Sequence, residues 1–382
     1  MSVDKLITQN FRNLDSVSIN FHPRLNFFIG DNGSGKSSLL EALFFLGHGK
    51  SFRTTKVDSL ARHETNSFVV SVRDSNDHQL GLSRDLTSGL TNIKIDGQRY
   101  NRLSVLAKNI AIQIVTPESF KLFFGGPKER RRFIDLGMFH VKHDFSTLWK
   151  SFNRVLKQRN ASIRLDDRTK SVNNNSMLSY WTEQFCQLSI ELSTLRASYV
   201  SEIISELNCW LAILLPSLKE RVTVQYLQGW SQKNTLIDVL TSNQEREASF
   251  GYSLYGAHKF DVKFLLDKKA IETELSRGQQ KLFLLALTFA QTSFIARVKR
   301  VKPILLIDDI GAELDSNSRT ALSKAIDELD CQVIITAIES SVLQPFLGAC
   351  EDRKYSMFHV KHGKVLEIYP DDSEFNKSEK AM

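Results

Sequence analysis

Gly30-Asp31-Asn32-Gly33-Ser34-Gly35-Lys36-Ser37 follows the pattern G-x-x-x-x-G-K-[ST], and the rest of the chain is read outward from it. Glycines let successive backbone N–H groups turn toward phosphate oxygens, and a helix that starts there adds the partial positive charge of its N-terminus. In this reading Lys36 reaches the β- and γ-phosphates of a nucleotide and Ser37 holds Mg2+. The flanks agree. Lys5–Phe11, Val17–Phe21 and Leu25–Ile29 read as strands, the last running straight into the loop. Lys36–Leu46 then carries Leu39, Leu40, Leu43 and Phe44 at helical spacing and is expected to stop at Gly47.

A second stretch, Leu275-Ser276-Arg277-Gly278-Gln279-Gln280, looks like the signature loop of ABC-type ATPases. It precedes Ile304–Ile307, an apolar strand that ends in Asp308 and Asp309. Asp308 is placed for a water-mediated Mg2+ contact, and Asp309 for orienting an attacking water. ABC-type ATPases mostly carry Glu there; Asp reaches about one methylene less far, so slow turnover is expected. Capping of the strand end is the other role open to Asp309. The expected catalytic set is Asp309, Asp308 and Lys36. Ser276, Gly278 and Gln279 suit a terminal phosphate, yet their own subunit already has a loop for one. A head-to-tail, ATP-dependent homodimer with two ATPs between the copies follows. Ala312-Glu313-Leu314-Asp315 reads as a D-loop facing the partner. Two pieces are vague. The strand Val333–Thr336 leads to Ala337 where many such ATPases have histidine, which leaves Thr336 as a candidate γ-phosphate sensor. Gln113 is a candidate Q-loop glutamine and metal contact, or an ordinary strand residue.

The fold class expected is α/β: an ABC-type ATPase head of the P-loop NTPase kind with an inserted, mainly helical second lobe. Residues 1–118 and 251–369 form the head, 119–250 the helical lobe, and 370–382 a disordered tail. Strand-like alternation runs through Ser67–Val72, Gln79–Ser83, Asn92–Ile95 and Ile110–Val115, with a turn at Asp96-Gly97. Helices follow from Pro117, the clearest being Asp144–Arg164. Asp166–Ser176 reads as an exposed loop, and Trp181–Leu215 as helix again. No heptad is sustained, so long coiled-coil arms are not expected.

The composition, with 42% hydrophobic and 24% charged residues in a chain of 382, is that of an ordinary globular protein. Runs such as Leu282–Ala290 fall short of the ~20 apolar residues that span a bilayer. Four scattered cysteines form no C-x-x-C pair, and the N-terminus lacks a signal peptide's pattern. A soluble, reduced, cytoplasmic protein with no membrane partner is expected. The net charge is +7, and residues 121–164 alone hold eleven Lys or Arg against three acids. Such a field suits DNA; a solvated, charge-rich helix is the bland alternative. Lys128, Arg130, Arg131, Lys150, Arg154 and Lys157 are the candidate contacts, with Lys150, Arg154 and Lys157 on one helix face.

The chain resembles the bacterial RecF family, small arm-less relatives of the SMC-type ATPases. The resemblance is carried by Asn10-Phe11-Arg12-Asn13, Gly49-Lys50-Ser51-Phe52-Arg53-Thr54, Thr116-Pro117-Glu118, Gly125-Gly126-Pro127 with Arg130 and Arg131, and Leu156-Lys157-Gln158-Arg159-Asn160. It covers about residues 1–365 and departs at Gly256-Ala257-His258-Lys259, where the family has proline for Ala257. The resemblance implies an ATP-dependent DNA-binding protein of recombinational repair, replication restart and SOS induction, with slow DNA-stimulated hydrolysis. It implies action with RecR and RecO at gapped or single-stranded DNA, where RecA is loaded. Arg12 and Asn13 would border the nucleotide, and Arg53 would sense DNA or ATP. The runner-up is the nucleotide-binding subunit of a membrane transporter, which shares the ATP motifs but not the helical insertion or the basic segment.

Overall fold

The structure of the protein, a computed structural model, describes residues 2–120, 126–169, 172–310, 314–347 and 355–368. The expected tail and Ala312-Glu313 lie outside them. The chain divides into two units, residues 1–119 with 277–382, and residues 120–276.

The first unit opens on β1 (Val3–Phe11), β2 (Leu14–Asn20) and β3 (Leu25–Ile29). β2 alternates, burying Leu14, Val17 and Ile19, whereas β3 is buried at every position, as a strand covered on both faces must be. α1 (Lys36–His48) follows the glycine-rich loop and runs past the expected stop. Its C-cap is Gly49, at φ 65 in the left-handed region that glycine tolerates. Gly47 lies inside the helix, where a Cβ would sit 2.9 Å from Ile112 Cγ1, so that glycine answers to packing instead. β4 (Ser67–Asp74), β5 (Gln79–Asp85), β6 (Thr91–Ile95) and β7 (Gln98–Tyr100) join β1 and β2 in an antiparallel sheet of order β2-β1-β4-β5-β6-β7. α2 (Ser104–Asn109) then leads into β8 (Ile112–Val115).

The second unit begins with α3 (Pro127–Val141), α4 (Phe145–Thr169) and α5 (Val172–Leu214). The loop expected at 166–176 is therefore largely helix, because polar composition reads alike in a loop and at a helix end. α4 and α5 pack antiparallel: Phe152 stacks on Phe185 at 5.4 Å, and Arg159 Nε donates to Thr182 Oγ1 at 3.1 Å. Arg196 of α5 is buried, lies 3.7 Å over the Phe260 ring, and grips Asp135 of α3 at 2.9 Å. β9 (Val222–Leu227) precedes α6 (Leu236–Ser242) and α7 (Gln244–Phe250). It pairs with β10 (Asp261–Leu266), which also pairs with β11 (Lys269–Ala270). That pairing is why residues 251–276, expected with the head, group with the helical unit, which carries a small antiparallel sheet of its own.

The chain returns to the first unit through α8 (Arg277–Lys299), β12 (Ile304–Ile307), α9 (Ser316–Glu328), β13 (Gln332–Ala337), β14 (Ser356–Lys361) and β15 (Lys364–Ile368). These build a second sheet, β15-β14-β3-β13-β12-β8, parallel except at its β15 edge. One hydrophobic core holds Leu39, Leu40 and Phe45 of α1 together with Phe68 and Val70 of the antiparallel sheet and Leu306 and Ile334 of the parallel one. Among the described residues α8 is long and apolar enough to cross a membrane, but 72% of that apolar window is buried inside the protein.

Candidate nucleotide-binding site

The parallel register brings the motifs to one sheet edge. Ile29 pairs with Ala337, and Ile307 with both Ile335 and Val115, so the glycine-rich loop leaves the C-terminal end of β3, and Asp308 and Asp309 that of β12, with only β13 between them. Ligands of open α/β sheets bind at that edge. Gly30 is obligatory: at φ 151 its missing Cβ would stand 2.2 Å from the Val360 carbonyl oxygen. The loop curls around the Lys36 ammonium, which donates to the carbonyls of Gly30 at 2.5 Å and Asp31 at 2.9 Å. The Ser34 carbonyl accepts from the Gly363 N–H at 2.8 Å, which ties the loop to the β14–β15 turn.

Ser37 Oγ donates to Asp308 Oδ1 at 3.1 Å, and Thr336 Oγ1 to the same oxygen at 2.8 Å. The Asp309 N–H donates to Thr336 Oγ1 at 2.8 Å. Thr336, fully buried, thus joins the Asp308 carboxylate to the Asp309 backbone. Asp309 sits at φ 51, and its buried Oδ1 has no hydrogen-bond partner among the described residues. Burial raises the Asp308 carboxyl above its ordinary range, against the Thr336 and Ser37 hydrogen bonds, and the neighbouring Asp309 charge raises it further. Burial pushes the Lys36 ammonium down, opposed by Asp309, Asp308 and Asp31.

A cavity of about 700 Å³ opens beside the loop, lined by Asn32, Gly33, Gly35, Lys36, Ser37, Asp308 and Asp309 on one side. Arg12, Asn13, Arg53, Ser59, Arg62 and His63 line the other. Its size lies within the ~300–1,000 Å³ range of small-molecule sites. Asn13 Nδ2 donates to the Gly33 carbonyl at 3.1 Å, and its Oδ1 accepts from Ser38 Oγ at 2.8 Å. Behind Arg12 stands Glu41 of α1, fully buried. Its two oxygens accept from Arg12 Nε and Nη2, both at 2.8 Å, and it also takes the Ser51 hydroxyl, while Arg53 Nη1 lies 3.9 Å away. Glu41 escapes a reading by motif, since a lone Glu in a helix gives no signal.

The donor set fits a nucleoside triphosphate with Mg2+. Lys36, the loop amides, Arg12 and Arg53 offer positive charge around the cavity, and Ser37, Asp308 and the unpartnered Asp309 Oδ1 offer oxygen ligands beside Lys36. Gln113 is not brought to the cavity. It lies within β8 beside Leu305, two residues short of the strand end, buried, with its Nε2 unbonded among the described residues. Gly278 lies in the first turn of α8, with Ser276 just before it and Gln279 just after; Ser276 and Gly278 are exposed, and Gly278 has open space around it. Asp315 caps α9, accepting from the Ser318 N–H at 2.7 Å.

The basic segment is less free than its composition suggests. Arg130 is buried in a bidentate pair with Asp261, at 2.9 and 2.8 Å, and lies 3.7 Å from Glu272. Arg159 is buried against Glu247 at 2.6 Å and Ser253 at 2.6 Å. Arg131 is half-buried and donates to the Phe260 carbonyl at 3.1 Å. Arg130 is therefore a structural residue: its countercharge sits far away in sequence, where a count over one segment misses it. Lys128, Lys150, Arg154 and Lys157 are exposed, and Arg53 is half exposed at the nucleotide cavity in the other unit.

The family model for the RecF/RecN/SMC N terminal domain matches residues 2–365. The chain is 66% identical over 378 residues to the DNA replication and repair protein RecF of Colwellia psychrerythraea, covering 96% of this chain and 98% of that one. It is 37% identical to the protein of the same name from Pseudoalteromonas translucida, over 96% and 100% of the two chains. Among solved structures, the recombination mediator protein RecF-ATP in the RecFOR pathway superposes with a TM-score of 0.83 at 22% identity, covering 96% and 98% of the chains. An Smc head bound to the C-winged helix domain of ScpA superposes at 0.56 and 17% identity, over 98% and 100%. A family match across nearly the whole chain sets aside the transporter-subunit reading: the chain belongs to the RecF family.

Proposed function

We propose that the protein is an ATP-dependent DNA-binding switch of replication and recombinational repair, cytoplasmic and acting with RecR and RecO where RecA is loaded onto gapped or single-stranded DNA. The observation that carries it is the single cavity in which the glycine-rich loop, Asp308, Asp309, Arg12 and Arg53 meet. Relatives with the same overall chain are DNA replication and repair proteins, one solved with ATP, which supports the reading. Bound Mg2+–ATP supplies the transferable phosphoryl group and the charge that this wall is built to hold. Lys36 exchanges its two carbonyl contacts for phosphate oxygens. Ser37, hydrogen-bonded to Asp308, would hold the metal through its hydroxyl, and Asp308 would hold it through a water. Asp309 Oδ1 would accept a hydrogen bond from the attacking water, and Thr336 fixes the Asp309 backbone. Arg12, locked by Glu41, presents charge without needing to be ordered. Hydrolysis is proposed to be slow, because the Asp309 side chain is one methylene shorter than glutamate. Two copies close on ATP, each lending Ser276 and Gly278 to the other's nucleotide.

Lys36→Ala removes the one lysine among the described residues that line the cavity. Titration with a fluorescent ATP analogue should show affinity lowered by tenfold or more, the ~1.5–3 kcal/mol of a charged hydrogen bond. Unchanged affinity in a folded Lys36→Ala protein would falsify the site. DNA binding measured with and without ATP at two salt concentrations then tests the coupling; equal affinity with and without ATP sinks it.

A further inference from the structure

α4 carries Lys150, Arg154, Lys157 and Arg164 at i, i+4, i+7 and i+14, a single stripe down one side of the helix. All four are exposed, as is Ala161 between the last two, and the helix has no acidic residue along the stripe, its two acids, Asp166 and Asp167, coming only after Arg164. The stripe is about 21 Å long at 1.5 Å per residue. At its far end stand two exposed aromatic rings, Phe250 at 54% and Tyr252 at 41% exposure, 6.0 Å apart and steeply inclined. They are not loose. Arg164 Nε donates to the Gly251 carbonyl at 3.1 Å, between the two rings. Asn160 Oδ1 accepts from the Ser253 N–H at 2.8 Å, and the buried Arg159–Glu247 pair clamps α7 to α4. The Lys259 ammonium lies 5.4 Å over Tyr252.

Rigid aromatic faces set among cations are what unpaired nucleotides bind: every base has a π-face to stack, and the backbone follows the positive charge. A duplex, whose bases are already stacked and paired, can use the stripe but not the rings. We propose that Phe250 and Tyr252, flanked by Arg164 and Lys259, form a platform for single-stranded nucleic acid whose phosphates track Lys157, Arg154 and Lys150 along α4. This site rests on the DNA-binding reading above and assigns it a single-strand contact on the helical unit.

The test uses the full chain with ATP, fluorescent oligothymidylate and a duplex of equal length, followed by anisotropy. Phe250→Ala/Tyr252→Ala, whose side chains are exposed, should weaken oligothymidylate binding by roughly tenfold or more, with duplex affinity and the salt slope unchanged. Arg154→Ala/Lys157→Ala should weaken it too and flatten the slope of log affinity against log salt by about 0.7 per phosphate lost. If the aromatic variant, folded by circular dichroism, binds oligothymidylate as the wild type does, the platform is wrong even though DNA binding stands. If the wild type binds neither oligonucleotide, the DNA-binding reading itself fails. Displacement of oligothymidylate by polyglutamate, with no effect of the aromatic substitutions, would identify a site for acidic protein segments and overturn the proposal.

Discussion

At the residue scale, Glu41 organises the nucleotide wall without touching the nucleotide cavity itself. A carboxylate with no exposure survives only if its charge is met, and Arg12, Ser51 and Arg53 meet it from three directions. The loop after α1 depends on the same centre, because Ser51 Oγ in turn accepts from the N–H groups of Arg53 and Thr54 at 2.9 and 3.0 Å. Glu41→Gln keeps the shape but removes the charge that holds Arg12. Arg12, the charge left behind, is partly exposed, so the loss is that of unsatisfied hydrogen-bonding groups, about 1–3 kcal/mol, and urea denaturation should show a loss of that size. Fluorescent ATP affinity should fall with it, as Arg12 loses its fixed direction. A variant as stable as the wild type would mean that Arg12 does not depend on Glu41.

At the element scale, the phosphate loop, the carboxylate strand and the stop of α1 show what a sequence discloses and what it hides. β12 was legible to the residue because a continuous apolar run bounded by carboxylates admits little else, and β3 because its largely apolar run, interrupted only by Asn26, ends at the glycine-rich loop. Gly47 and Gly49 were not separable, since only the approach of Ile112 and a left-handed φ at Gly49 tell them apart. The charge on α3 and α4 was legible, but the partners Asp261 and Glu247 lie far along the chain, so Arg130 and Arg159 read as surface cations until the fold was in hand. His258 belongs to the same packing. It lies near Phe152 of α4 and Phe185 of α5, at 6.4 and 5.9 Å between rings, and its Nε2 donates to the Ser253 carbonyl at 2.9 Å. Burial, reinforced by Lys259, Arg131 and Arg159, lowers its pKa from 6.5 to about 4, against the Ser253 hydrogen bond. Above pH 6.5 the imidazole is neutral folded or unfolded, so nothing is lost. As pH falls from 6.5 toward 4, only the unfolded chain takes the proton, and stability drops by up to about 3 kcal/mol. Denaturation of the helical unit across that window should show this slope, and His258→Phe should flatten it; an unchanged slope would place the titrating group elsewhere.

At the scale of the whole molecule, the question is where the signature loop finds its phosphate. Each copy has one glycine-rich loop with its own lysine, serine and carboxylates, and Gly278 and Gln279 are not among the residues lining that cavity. Ser276 and Gly278 are exposed at the start of a 23-residue helix whose N-terminal partial charge points where they do. An exposed helix start that does not line its own subunit's cavity fits the proposed contact with the nucleotide of a second copy. Three proteins separate a clamp from a simple nucleotide binder. The wild type should double its mass by light scattering with saturating ATP and Mg2+. Ser276→Arg puts a long cation where the partner's phosphate wall must approach, so it should stay monomeric while binding fluorescent ATP with wild-type affinity, since that contact uses only the loop at 30–37. Asp309→Asn should act oppositely: the unpartnered oxygen no longer carries the charge that orients water, yet every contact that closes the dimer is kept, so the ATP-bound dimer should outlast that of the wild type. Normal dimerisation of Ser276→Arg would remove the signature from the interface even if a dimer forms. A wild type that remains monomeric with ATP, with DNA present as well as absent, would leave a nucleotide binder with no clamp.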